Sequence, residues 1–336
     1  MKKTGLTLGK YAPFHKGHEY VIQTMLAEMD EAVAIIYDTE ATPIPLSTRA
    51  GWIRRLFPRV TVIEAWDGPD GYCRERSFEI TQEQYILKVL NGRKIDAFYC
   101  SEFYGAHVAG ALGAADRRVD EARLAVPVSG TAVRANPYQH RQYISAPVYR
   151  DLIVKAVFLG AMSTGKSTLT EALARRHKTS FASEYGRDYW TEHQVDHRLS
   201  FEAFDEIAAG HIAREEEAFL AADRYCFVDT NAITTYLFAI DYHGRAPELL
   251  RRLALENASR YDLFFLCEDD IPYDDTWDRS GDQKRHIFQK QIVADLRERR
   301  IPYIPLRGSL AERMARVDEV LAKFEPYGNF YGSAIS

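Results

Sequence analysis

Two stretches of this 336-residue sequence carry residue types whose spacing suits phosphate binding. The first is Gly9-x3-Pro13-x-His15-x-Gly17-His18, which follows an apolar run at 6–8 and leads into a helical pattern. Two imidazoles three residues apart, separated by a glycine, project from one helix end, where anions are already favoured. Zinc is the competing chemistry for such a pair, but no third ligand stands at a suitable spacing. The second stretch is Gly160-Ala161-Met162-Ser163-Thr164-Gly165-Lys166-Ser167-Thr168, set between a strand pattern and a helix pattern. Gly160 and Gly165 let backbone N–H groups turn inward around phosphates, with Thr164 and Thr168 in the same cradle. Lys166 is placed to reach the β- and γ-phosphates of ATP, and the Ser167 hydroxyl to ligate Mg2+.

This second pattern is a P-loop, which by itself does not separate kinase from ATPase or GTPase. Three further features favour a small-molecule kinase. A strand pattern at 226–228 ends in Asp229, placed to help hold the Mg2+ shell. Another at 180–182 ends in Ser183-Glu184, and strand C-termini line the ligand crevice of an open parallel sheet. Glu184 is thus a candidate base or hydrogen-bond acceptor for a substrate hydroxyl, with Asp188 second; helix capping is the structural alternative for either. Residues 274–285 are rich in both charge signs and read either as a solvated loop or as a lid bringing Arg279 or Arg285 to the transferred phosphoryl group.

The elements that must position these residues fall into two series. Strands at 6–8, 32–37, 60–63, 97–100 and 124–126 alternate with helical periodicity at 18–29, 48–57 and 77–90. The pattern then restarts, with strands at 153–159, 180–182, 226–228, 263–266 and 303–306 and helices at 166–176, 201–222 and 287–299. Such alternation predicts an α/β protein with two parallel sheets: a Rossmann-like domain over 1–148 and a P-loop domain over 149–336. Hydrophobic residues at 46% are enough to fill two cores.

A net charge of −5 offers no footprint for general nucleic-acid binding. No apolar stretch is long enough to span a bilayer, and the two N-terminal lysines are not followed by a signal-peptide core. Cys73, Cys100, Cys226 and Cys267 lie far apart without metal-ligand spacing, which suits free thiols in a reducing cytoplasm. Trp52, Trp66 and Trp277 could stack on an aromatic ligand, but packing is the plainer reading for each. Homo-oligomerisation is left open.

Resemblance adds a specific function. The first motif resembles the H-x-G-H signature of the nucleotidylyltransferase superfamily, and Val128-Ser129-Gly130-Thr131-Ala132-Val133-Arg134 resembles its late S-x-T-x-x-R element. The likeness implies that His15 and His18 contact ATP phosphates in a turn shaped by Gly9 and Gly17. It also implies that Ser129 or Thr131 caps a helix while Arg134 grips the β- and γ-phosphates.

Together the halves resemble the bacterial NadR-type bifunctional proteins. The matching stretches are GKYAPFHKGHEYVIQ, Tyr99-Cys100-Ser101-Glu102-x-Tyr104-Gly105, VSGTAVRANP, FLGAMSTGKSTL, EYGRDYW, Gly210-His211 and FVDTNAITT. That resemblance implies ribosylnicotinamide kinase and nicotinamide mononucleotide (NMN) adenylyltransferase activities, with ATP as co-substrate, Mg2+ as cofactor and NAD as final product. Some members begin with a DNA-reading helix-turn-helix domain; here the first strand is entered by Leu6, so none is expected, nor operator binding. The rivals are a phosphopantetheine adenylyltransferase fused to a dephospho-coenzyme A kinase, and a regulatory sensor of ATP and NAD.

Overall fold

Short runs rich in Val, Ile, Phe and Ala are extended in the computed structural model, which describes residues 2–69, 75–195, 199–272 and 282–328. The chain forms two compact units that part between Asp151 and Leu152, and the described residues after Glu325 group with the first. The expected junction near 148 falls within the helix Ala146–Leu152, at whose end the units part. The return of the C-terminal residues has a visible tie: the Tyr327 hydroxyl donates to the Asp151 carbonyl at 3.1 Å.

In the first unit, β1 (Thr4–Gly9), β2 (Glu31–Tyr37), β3 (Val60–Ala65), β4 (Ala97–Cys100) and β5 (Ala115–Arg118) form a parallel sheet in the order β3-β2-β1-β4-β5. Leu6, Leu8, Val33, Ile35 and Phe98 supply one face, covered by Ile86 and Leu90 of the helix Arg76–Leu90 and by Val108 of the helix Gly105–Leu112. Each such side chain contributes on the order of 1.5–3 kcal/mol by burial. The strand order reverses at β1 and β4, which opens a crevice at their C-terminal ends.

One strand is not where the sequence places it. Residues 124–126 are an exposed turn rather than the fifth strand, with Leu124 85% exposed. The N–H groups of Leu124, Ala125 and Val126 donate to the Asp120 carboxylate at 2.7, 3.0 and 2.9 Å, so they need no ladder partner. The true edge strand reads Ala-Asp-Arg-Arg. It pairs only with β4 and leaves its charged side chains wet, so it carries no apolar signal.

In the second unit, β6 (Val154–Leu159), β7 (Phe181–Ala182), β8 (Tyr225–Asp229), β9 (Leu263–Cys267) and β10 (Ile304–Leu306) form a parallel sheet in the order β10-β9-β6-β8-β7. Phe158, Phe227 and Phe265 stand side by side on the three central strands, with Leu169, Leu173, Val317 and Leu321 packed over them from two helices. Register pairs Phe158 with Asp229, so the end of β8 lies level with the exit of β6 into the glycine loop. Among the described residues, no helix is long and apolar enough to cross a membrane.

Candidate functional sites

The first site is built where β1 hands over to the helix Lys16–Glu28. His15 occupies the N-cap, where Ser, Thr, Asp or Asn is usual. Its Nδ1 accepts from the Gly17 N–H at 3.1 Å, while Nδ1 of His18 accepts from the His15 N–H at 3.3 Å. Both Nδ1 lone pairs are thereby committed to backbone donors, so each neutral ring carries its proton on Nε2. The rings stack with centroids 3.7 Å apart, a spacing that two imidazolium charges would oppose.

Burial, then the charges of Arg123 and Arg134, bring His15 down to about 4. Burial, then His15 and Arg134, hold His18 well below its ordinary value. At neutral pH the pair is therefore two N–H donors set among cations, an arrangement an anion completes. Nε2 of His15 is buried without a hydrogen-bond partner. Two glycines give that ring its room. A Cβ on Gly17 would stand 2.9 Å from His15 Cε1, and one on Gly130 would stand 3.4 Å from His15 Nε2.

The cleft in front of these rings has a volume of about 560 Å³, and its walls include Gly9, Gly17, Ser129, Thr131 and Arg134. Ser129 caps the short helix Gly130–Ala135 by accepting from the Ala132 N–H at 3.1 Å. The structure thus brings every residue expected of the first site into one concavity.

The second site follows β6. Gly160 has φ 147° and Gly165 φ 80°, and a Cβ on Gly160 would come within 2.6 Å of the Cys267 carbonyl oxygen. Lys166 Nζ donates to the Ala161 carbonyl at 2.9 Å, and the Thr164 hydroxyl donates to the same oxygen at 2.8 Å. Two distant side chains fix the loop. Gln289 Oε1 accepts from the Ala161 N–H at 2.8 Å, and Arg313 Nη1 donates to the Thr164 carbonyl at 2.6 Å. Thr168 is exposed in the first turn of the helix Lys166–His177.

Asp229 is buried at the end of β8. Burial and then the Glu184 charge push its carboxyl upward, against Lys166, a hydrogen bond with Ser167, and Arg187. Its Oδ1 is buried without a hydrogen bond. Arg187 Nη2 donates to Ser167 Oγ and to Glu184 Oε2, both at 3.2 Å. Glu184 stands at the N-cap of the helix Tyr185–His193 but its side chain does not cap it, while Asp188 pairs with Arg214 at 2.8 Å. A carboxylate with an unpartnered oxygen beside a hydroxyl, facing a second carboxylate, is an oxygen donor set that fits a hard divalent cation.

Arg279 and Trp277 lie outside the described residues, as does Cys73. Arg285 stands in the core rather than on an exposed lid, its guanidinium donating to the Asp269 and Ile271 carbonyls (2.7 Å for the latter). It braces the chain leaving β9. Trp52 is fully buried, with Nε1 donating to Asp151 at 2.8 Å, and Trp66 is exposed.

Comparison with known proteins places the chain in a family. Residues 155–313 match the family described as an AAA domain. The chain is 30% identical over 329 residues to the trifunctional NAD biosynthesis/regulator protein NadR of Escherichia coli (strain K12), covering 90% of this chain and 78% of that one. The chain belongs to the NadR family. NadR of Salmonella typhimurium (strain LT2) is 29% identical over 326 residues, covering 91% and 79%. A NadR crystal structure in complex with NAD and AMP-PNP matches with TM-score 0.57 at 22% identity, covering 97% of this chain and 98% of that chain. A second, in complex with NR, matches with TM-score 0.56 at 23% identity and 96% coverage of each. These two share the NadR fold.

Within this NadR-family fold several site residues carry no local signature. Arg123 lines the first cleft from a left-handed backbone position (φ 53°) and pairs with Glu102 at 3.3 Å. Gln289 and Arg313 reach the glycine loop from helices far along the chain. Only the capping box of Ser309 and Glu312, which starts the Arg313 helix, offered a sequence handle.

Proposed function

We propose that this chain is a bifunctional enzyme of NAD salvage. The second unit phosphorylates nicotinamide riboside to NMN with ATP, and the first joins NMN to AMP from a second ATP, releasing pyrophosphate and NAD. The observation that carries this reading is the pair of separate strand-to-helix anion sites in a chain of the NadR family. Its relatives are NAD biosynthesis proteins, and similarly folded NadR proteins hold NAD with AMP-PNP, and NR.

In the adenylyl step the NMN phosphate, already ionised, attacks the α-phosphorus of ATP and the bond to the β-phosphate oxygen breaks. No general base is required. The Nε2–H groups of His15 and His18, with Arg134 and Arg123, stabilise charge that grows on the leaving pyrophosphate. Ser129 and Thr131, which line the same cleft, orient the phosphates.

In the kinase step the riboside 5′-oxygen attacks the γ-phosphorus, its proton passes to Glu184, and ADP leaves. Glu184 is preferred to Asp188 because its charge reaches Asp229 and it shares Arg187 with the Ser167 hydroxyl of the glycine loop, whereas Asp188 pairs with Arg214. Lys166 leaves its own loop carbonyl for the β- and γ-phosphates. Ser167 and Asp229 would hold Mg2+, which when bound screens the triphosphate charge. Free, buried thiols at Cys100, Cys226 and Cys267 fit the cytoplasmic location proposed here.

The test is direct assay of the purified chain with ATP and Mg2+. Nicotinamide riboside is expected to yield ADP and NMN, and NMN to yield pyrophosphate and NAD. Turnover with phosphopantetheine alone, or binding of ATP without release of either product, would overturn the reading.

A further inference from the structure

His211 lies outside both phosphate loops, yet it joins the two segments that carry the kinase carboxylates. It sits on the helix Ala203–Ala221 and is buried. Its Nδ1 accepts from the Tyr185 N–H at 3.4 Å, the peptide that follows Glu184. The other ring nitrogen, Nε2, lies 3.2 Å from the carbonyl oxygen of Thr230, the residue after Asp229, and 3.2 Å from Glu215 Oε1. A backbone N–H can only donate, so Nδ1 must accept and the ring proton stands on Nε2. That tautomer donates to Thr230 and Glu215 at once.

The surroundings hold the ring in this orientation. Glu215 is fully buried and also accepts from Arg260 Nε and, at 2.5 Å, from the Tyr261 hydroxyl. Burial raises its carboxyl, but His211, Arg260 and Tyr261 outweigh that and hold it below the usual range. Gly210, one residue earlier, lets the helix come close: a Cβ there would stand 2.3 Å from the Tyr185 ring. Arg214, on the same face, donates to Ser183 Oγ at 2.8 Å and lies over the Tyr185 ring, with its guanidinium carbon 4.8 Å from the centroid. The helix therefore grips residues 183–188 on one side and, through His211, the end of β8 on the other. Thr230 itself is in a left-handed conformation (φ 65°), a strained backbone position that needs outside support.

We propose that His211 is a positioning residue of the phosphoryl-transfer site, setting the spacing of Glu184 and Asp229 by bridging the backbone of the residues that follow them, Tyr185 and Thr230, with Glu215 fixing its tautomer. The inference rests on the kinase reading above. It predicts that removing the bridge slows transfer without weakening substrate binding, because the His211 ring is buried with both nitrogens bonded within the protein.

The experiment compares His211→Leu, His211→Asn and His211→Gln in the full chain. Asn keeps an acceptor for Tyr185 and Gln keeps a donor for Thr230, so each retains half of the bridge. His211→Leu is expected to lower kcat for riboside phosphorylation about 10–100-fold, the usual cost of losing a supporting hydrogen-bond partner at a reactive centre. KM for ATP and for riboside should stay within about threefold, adenylyl transfer should be unchanged, and Asn or Gln should recover part of kcat. Wild-type kcat in His211→Leu would overturn the proposal. So would equal losses in all three variants that track a lowered unfolding temperature, since packing alone would then explain them. If the unsubstituted chain phosphorylates no riboside while still binding ATP in the second unit, it is the kinase reading that fails.

Discussion

The two proposed phosphate sites would solve one electrostatic problem by different means. In the first, side chains make the cradle: two stacked histidines are held by the backbone N–H groups of Gly17 and His15, and glycines at 17 and 130 only clear space for a ring. In the second, the backbone makes the cradle, and its glycines hold conformations that other residues avoid. The first site is set before ATP arrives. The second is folded on itself, with Lys166 and Thr164 both bonded to the Ala161 carbonyl and Arg187 on the Ser167 hydroxyl. The contrast teaches that a site built from side-chain rings can be rigid and waiting, whereas one built from a loop and a mobile cation must exchange internal hydrogen bonds for phosphate ones.

Separate substitutions break the comparison most sharply. Lys166→Met should cost about 10²–10³ in riboside phosphorylation and leave adenylyl transfer intact, the scale expected for losing one preorganised donor. His18→Ala should do the reverse by a similar factor, as measured by NAD formed from NMN. His18→Gln should recover much of that loss, because the role proposed for His18 is that of a neutral N–H donor. Recovery by Lys but not Gln would instead mark a required positive charge.

A methyl group distinguishes the two kinds of glycine. Gly160→Ala adds a Cβ against the Cys267 carbonyl at a backbone angle alanine rarely takes, and should abolish kinase turnover and lower the unfolding temperature of the second unit. Gly17→Ala should cost only about tenfold in adenylyl transfer, by shifting the His15 ring a few tenths of an ångström. Steady-state kinetics with each substrate read both.

The smallest expected effect is on pH dependence. His15 is held near 4 in the folded chain against an ordinary value of 6.5, so between those values the unfolded chain binds more protons. The contribution of the neutral ring to stability is present above about 6.5 and is lost as pH falls toward about 4. Denaturant melts of the first unit should follow that course, and ATP, by placing anionic charge beside the rings, should draw the transition back toward neutral pH.

Much of this was legible from local signals. Both phosphate motifs sit at strand-to-helix junctions, and the apolar runs that became β1 to β4 and β6 to β10 announced themselves by composition. What was missed shares a cause. The charged edge strand Ala115–Arg118 owes its shape to pairing with β4, and residues 124–126 look like a strand until Asp120 is seen to accept from their N–H groups. Arg285 reads as a lid cation by composition, yet the carbonyls it braces come from a segment well before it in the chain. Gln289 and Arg313 act over distances in sequence that no spacing rule covers, and Gly210-His211, visible as a matching stretch, gave no sign of the partners it bridges.

The central claim, two distinct cleavages of ATP in one chain, is tested most directly by product stoichiometry. Nicotinamide riboside, excess ATP and Mg2+ are incubated with the purified chain, and ADP, pyrophosphate and NAD are counted together. The account predicts one ADP and one pyrophosphate for every NAD formed from riboside, and pyrophosphate alone when NMN is supplied. NAD accumulating from riboside without matching ADP, or ADP without any pyrophosphate, would contradict it.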